Sequence, residues 1–146
     1  MLRAEGVRLG LAAADKWDAV RQSGALLVEL GAAEPGYADA MIEREKSIST
    51  YVGEGVAIPH GTDESRSLVT RTTLGVLQFP GGVDWDGNEV KVAVAIASSG
   101  TEHVAVLSAL AQILMEPDQA EGLREAAEID DVLALLADIS TDEEDA

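Results

Sequence analysis

His60 and His103 are the only histidines in a 146-residue chain that has no cysteine. His60 sits in "GVAIPHGT", residues 55–62, behind a short apolar run and between Pro59 and Gly61. Proline stiffens the backbone on one side and glycine allows close approach on the other, which suits a reactive ring nitrogen. It suits a hydrogen-bonded structural histidine at a strand end equally well. His103 stands in "SGTEHVAVL", at the predicted first turn of a helix, where unpaired N–H groups and the dipole favour an anion. Arg44 lies on a predicted helix that leads into the strand region holding His60. Two imidazoles, a guanidinium and a helix N-terminus are the ingredients of a phosphoryl site.

Other chemistries fit less well. Zinc wants three or four ligands, and Glu54, Glu102 or Asp63 would have to complete the set without any HxxxH or HExxH spacing. No GxSxG elbow supports a serine hydrolase, and no GxxxxGK[ST] loop supports a nucleotide site. Without cysteine there is no thiolate nucleophile, disulfide or sulfur-ligated metal.

The charge narrows the partners. The chain carries 27 Asp+Glu against 10 Lys+Arg, a formal net charge of −17, and its only lysines are Lys16, Lys46 and Lys91. Such a field repels nucleic-acid phosphates and an anionic membrane surface. Excess carboxylate with scarce lysine along the whole sequence is the expected composition of a halophilic protein, whose charge is screened in high salt. Residues 1–14 have Arg3, Glu5 and Arg8 scattered through them and lack the apolar core of a signal peptide. No stretch approaches the roughly 20 apolar residues that span a bilayer, so a cytoplasmic protein is expected.

The elements that must position these residues follow from periodicity. "DKWDAVRQSGALLVELGAA", residues 15–33, places Trp17, Val20, Leu27 and Leu30 near a helical period, with Asp15 as N-cap and Gly31 near the stop. "YADAMIEREKS" predicts a second helix with Tyr37, Ala40, Met41 and Arg44 along related faces. "STYVGEGVAIPHG", "TRTTLGVLQFP" and "EVKVAVAIAS" are β-rich runs of one sheet. Between the last two, "PGGVDWDGNEV" reads as a hairpin-like connection with Val83 and Trp85 turned inward. "TEHVAVLSALAQILME" spaces Val104, Leu107, Leu110, Ala111 and Leu114 for a buried helical face, with Thr101 as N-cap. Pro117 opens "DQAEGLREAAE", and "IDDVLALLADI" predicts a last short helix. The order indicates an α/β or α+β domain over residues 1–139, with residues 140–146 an acidic C-terminal tail. With only five aromatic residues, the core must be built mainly from Ala, Val and Leu.

"EREKSISTYVGEGVAIPHGT" followed by "LGVLQFPGGVDWDGNEVKVAVAIASSGTEHVAVLSALAQIL" resembles the enzyme IIA domain of the mannitol/fructose class (type 2) of the sugar phosphotransferase system, PTS. The resemblance spans essentially the whole chain, and a PHG motif paired with a downstream EH opening a Leu-rich helix is more specific than either alone. It implies an α/β fold with a mixed, largely five-stranded central sheet and helices on both faces. It also implies a phosphocarrier that accepts a phosphoryl group from phospho-HPr on His60 and passes it to a IIB component. By the same resemblance His103 is the second active-site histidine and Arg44 the site arginine, with Glu54, Thr62 and Glu102 expected nearby.

The chemistry this implies needs no cofactor, metal or ATP, since the donor is already a phosphohistidine. His60 must be neutral, its other ring nitrogen fixed by a hydrogen bond to a backbone carbonyl, so that Nε2 attacks phosphorus. Arg44 and His103 would neutralise the transferring group inside a locally positive pocket. In high salt a screened apolar patch is expected to dock the partners. Fructose is the expected sugar. A nitrogen-regulatory IIA protein, acting through phosphorylation-dependent binding of other proteins, is the alternative, and homo-oligomerisation is left open.

Overall fold

The computed structural model describes residues 2–98 and 102–136, with residues 102–104 described by their backbone only. The expected acidic tail and the Thr101 cap lie outside the described residues. In chain order the elements are β1 (Val7–Arg8), α1 (Lys16–Glu29), α2 (Tyr37–Ser47), β2 (Tyr51–Gly53), β3 (Val56–Ala57), β4 (Thr73–Trp85), β5 (Asn88–Ala97), α3 (Glu102–Leu114), α4 (Pro117–Glu125) and α5 (Ile129–Leu135).

The ends of α1 follow from side-chain and backbone chemistry. Asp15 accepts the N–H of Asp18 at 2.8 Å, satisfying one of the donors that a helix start leaves unpaired. At the other end Gly31 takes φ +74°, and the N–H groups of Gly31 and Ala32 reach back to the carbonyls of Val28 and Leu27 at 2.9 and 3.0 Å. This doubly bonded left-handed stop favours glycine because a Cβ is disfavoured there. Trp17 differs from the expected core role: it is half-buried, with the Lys16 ammonium 4.5 Å from its ring centroid. Lys16 also grips Asp86 at 2.9 Å and so ties α1 to the hairpin between β4 and β5.

Among the described residues the strands form one five-stranded mixed sheet in the order β1-β4-β5-β3-β2. β1 runs parallel to β4 and β3 parallel to β5, while β4 with β5 and β2 with β3 are antiparallel. The β4–β5 turn is the two-residue Asp86-Gly87, both at positive φ (57° and 94°), as a tight hairpin requires. The sequence pattern placed the connection across residues 80–90, but β4 continues to Trp85 and accommodates Pro80 to Gly82 as an irregularity between Gln78 and Val83. Proline has no N–H for the ladder, so the pairing slips there and resumes at Val83. Val83 and Trp85 do face inward, both buried. β1 escaped the sequence reading because two residues are too few to show alternation.

β5 shows why helices cover both faces. Ala93, Ala95 and Ala97 join the cluster holding Ala19, Val20, Leu27, Tyr37 and Met41 of α1 and α2. The alternate residues Val92, Val94 and Ile96 join Val106, Leu110, Leu114, Leu123 and Val132 of α3, α4 and α5. Small side chains thus line one face and larger branched ones the other, the period-two pattern of a strand buried on both sides. On α3 the buried face is Val106, Leu110 and Leu114, while Ala111, expected inside, is exposed. The side chain of Val104 lies outside the described residues. No described helix is long and apolar enough to cross a membrane.

Candidate active site

The chain leaves β3 through Ile58 and Pro59 and keeps its parallel alignment with β5. Ile96 donates its N–H to the Pro59 carbonyl at 3.0 Å, and His60 bridges Ile96. His60 therefore stands at the carboxyl ends of two adjacent parallel strands, where open α/β sheets place their ligands. It is buried, with 7% exposure. Its Nδ1 lies 2.7 Å from the Ile58 carbonyl oxygen. A carbonyl can only accept, so Nδ1 must carry the hydrogen, and the neutral ring then has its lone pair on Nε2.

Tyr37 fixes the next residue. Its hydroxyl accepts the Gly61 N–H at 3.0 Å and donates to the Ile96 carbonyl at 3.0 Å, clamping the loop to β5. Burial raises the Tyr37 pKa above its ordinary value near 10, the Gly61 hydrogen bond and the Arg66 charge opposing this. Gly61 is held to the smallest side chain: a Cβ there would meet the Ser65 hydroxyl and stand 2.6 Å from the Tyr37 ring. Beyond it Thr62 turns the chain, its carbonyl accepting the Ser65 hydroxyl at 2.7 Å.

A cavity of about 470 Å³ opens at His60. Arg44, Thr62, Arg66 and Ser98 are among the residues lining it. Arg44, in the last turn of α2, donates to the Ile48 carbonyl at 2.6 Å and pairs with no carboxylate among the described residues. Arg66 pairs with Asp63 at 3.1 Å. Two guanidiniums against one exposed carboxylate form a local cationic site in a chain of net charge −17.

Of the residues expected from the sequence, His60, Arg44 and Thr62 are brought together here. Glu54 is not among the lining residues. It sits in the tight turn between β2 and β3 at φ 56°, and Arg124 of α4 donates to its carbonyl and faces its carboxylate at 3.7 Å. An acidic side chain beside a bound phosphoryl group would be repelled, and the α4 cation draws it elsewhere. Glu102 and His103 occupy the first turn of α3, and their side chains lie outside the described residues.

Sequence reasoning missed Glu45, whose carboxylate is buried at 3% exposure. It accepts the Thr50 N–H at 2.9 Å, the Thr50 hydroxyl at 2.6 Å and the Trp85 indole N–H at 3.0 Å. These bonds fix the turn from α2 to β2, and with it the Ile48 carbonyl that holds Arg44. The signal was available: Glu45 follows Tyr37 and Met41 at four-residue spacing, a carboxylate on an apolar stripe. Arg66 and Ser98 gave no such signal.

The model of the family "Phosphoenolpyruvate-dependent sugar phosphotransferase system, EIIA 2" matches residues 1–139. The chain belongs to this family. Such EIIA components are phosphotransferases that carry a phosphoryl group on histidine and pass it to a IIB component. This EIIA chain is 41% identical over 140 residues to the mannitol-specific phosphotransferase enzyme IIA component of Halalkalibacterium halodurans, covering 96% of its own length and 97% of the relative's. The crystal structure of IIA mannitol from Escherichia coli superposes with a TM-score of 0.86 at 38% identity, over 93% of this chain and 99% of that one. The Escherichia coli complex of enzyme IIAMTL with phosphorylated enzyme IIBMTL gives 0.86 at 36% identity, over 94% and 99%. The mixed five-stranded sheet expected from the resemblance is the sheet observed. The names of these two relatives specify mannitol, where the sequence reading expected fructose.

Proposed function

We propose that His60 is the phosphoryl acceptor of this EIIA chain, loaded by phospho-HPr and unloaded to a IIB component in the uptake of mannitol. The observation that carries this reading is the 2.7 Å contact of Nδ1 with the Ile58 carbonyl. It selects the tautomer whose Nε2 is nucleophilic without prior deprotonation.

Transfer between two imidazole nitrogens needs little acid or base help, so the protein's work is positioning and charge neutralisation. The Nε2 lone pair forms the new P–N bond while the donor's P–N bond breaks, its electron pair returning to the donor ring. Tyr37 and Ile96 hold the acceptor loop still, and Arg44 and Arg66 face the dianion. His103, which the family resemblance makes the second active-site histidine, stands in the sequence at the start of α3.

Beside the cavity, Val52, Ile58, Leu107, Leu110, Leu114 and Met115 line a shallow apolar groove. Val52 and Met115 are exposed at 44% and 78%, which supports docking of HPr and IIB through apolar contact at the mouth of the site. The regulatory alternative draws no support from the relatives described above, which are mannitol components.

The test is incubation with phosphoenolpyruvate, enzyme I and HPr, followed by mass-spectrometric mapping of acid-labile phosphate. Phosphate on His60 is expected. Phosphate elsewhere, or none with active donors, overturns the assignment.

A further inference from the structure

Ser98 follows the last residue of β5 and lines the same cavity as His60. It is 3% exposed, and its hydroxyl is a buried side-chain group with no hydrogen-bond partner among the described residues. Every other polar side chain described around the cavity is engaged: the Tyr37 hydroxyl with Gly61 and Ile96, Arg44 with Ile48, and Arg66 with Asp63. Thr62 is held by Ser65 and Thr50 by Glu45. An orphaned buried hydroxyl is costly, and proteins rarely keep one without a use.

Its place in the sheet supplies that use. His60 is aligned with Ile96 in parallel register, and Ser98 comes two residues after Ile96, just past the end of β5, where it lines one cavity with His60, Gly61 and Thr62. A group carried on Nε2 of His60 enters a cavity that Ser98 helps to close. A phosphoryl group brings three acceptor oxygens and no donor, the complement of a lone hydroxyl.

We propose that Ser98 is a catalytic residue of phosphoryl transfer, its Oγ–H donating to a non-bridging oxygen of the group on His60. The proposal rests on His60 being the acceptor. In the transfer, the P–N bond to His60 Nε2 forms as the P–N bond of the incoming phosphohistidine protein breaks, and the electron pair returns to the donor's ring. Ser98 keeps its proton throughout. Its hydrogen bond gains strength as negative charge spreads over the equatorial oxygens.

The experiment compares wild type, Ser98→Ala and Ser98→Thr in phosphoryl transfer from phospho-HPr, with the 31P chemical shift of the phosphohistidine and the melting temperature measured on each. Ser98→Ala should lower the transfer rate about tenfold, the effect of losing one hydrogen bond to a charged group, and should move the 31P resonance. Its melting temperature should be unchanged or higher, because the orphaned hydroxyl is gone. Ser98→Thr, which keeps the hydroxyl, should restore most of the rate. A wild-type rate and resonance in Ser98→Ala would overturn the inference while leaving His60 as acceptor. A slow Ser98→Ala with a lowered melting temperature and no change in resonance would assign Ser98 to the fold and overturn it as well. Absence of phosphate on His60 in the wild type would overturn both readings.

Discussion

The Nδ1 atom of His60 lies 2.7 Å from the carbonyl oxygen of Ile58, only two residues back along the chain. A contact this local is made by the backbone of the "IPH" segment itself, with Pro59 restricting the conformations between its two ends. The tautomer of His60 is therefore fixed by the same motif that supplies the histidine.

Two histidine variants separate accepting the group from passing it on. His60→Ala should take no acid-labile phosphate at all. His103→Ala should still be phosphorylated on His60 but should release the group to IIB more slowly, as expected of a residue that assists charge neutralisation. Rapid-quench measurement of both half-reactions checks the split, and two variants that behave like wild type would reject the assigned site.

Arg44→Lys keeps the charge but loses the planar fork that can bond the Ile48 carbonyl and a phosphoryl oxygen together. Phosphotransfer should fall by roughly 10- to 100-fold, the cost of one to two hydrogen bonds to a charged group. The melting temperature should change little, because Arg44 sits at the half-buried end of α2. Initial rates against HPr concentration provide the measurement.

Tyr37→Phe removes the hydroxyl that serves both Gly61 and Ile96. Leaving a buried N–H and a buried carbonyl unpaired should cost about 2 kcal/mol, or a melting temperature lower by roughly 4–8 °C for a chain of this size. Alkaline pH supplies a second signature. Burial raises the pKa of Tyr37 in the folded state above its ordinary value near 10, so the unfolded chain loses this proton first. The contribution of Tyr37 is thus fully present below pH 10 and is lost as pH rises through the folded-state pKa. Tyr37→Phe should flatten the decline of stability above about pH 10, read from urea denaturation across that range.

Glu45→Ala would strip the acceptor from the Thr50 N–H, the Thr50 hydroxyl and the Trp85 indole at once. A loss of about 3 kcal/mol is expected from three orphaned donors. Slower phosphotransfer should accompany it, because the turn that seats Arg44 is no longer pinned. Urea denaturation followed by tryptophan fluorescence gives both the midpoint and any change in the surroundings of Trp85. An unaltered midpoint would show that the turn does not depend on Glu45.

The sequence by itself determined the local parts. Asp15 and Gly31 marked the ends of α1, "YADAMIEREKS" is α2 residue for residue, and the Asp86-Gly87 turn was readable because few residue pairs accept positive φ. The helix that carries Arg44 and the helix that follows the EH pair were likewise legible, since apolar periodicity is a local pattern. Tertiary structure decided what depends on neighbours distant in the chain. β1 exists only because Val7 and Arg8 find Val76 and Leu77, and β4 runs past Pro80 only because β5 waits to pair with Val83. Glu54 was drawn to Arg124, 70 residues away, and Glu45 to Trp85, 40 residues away. Ser98 is an ordinary serine in the sequence; in the fold it lines the cavity of His60 with a hydroxyl unpartnered among the described residues. Burial and partnership are properties of a surrounding that the chain assembles from distant segments, so no local pattern of residues can announce them.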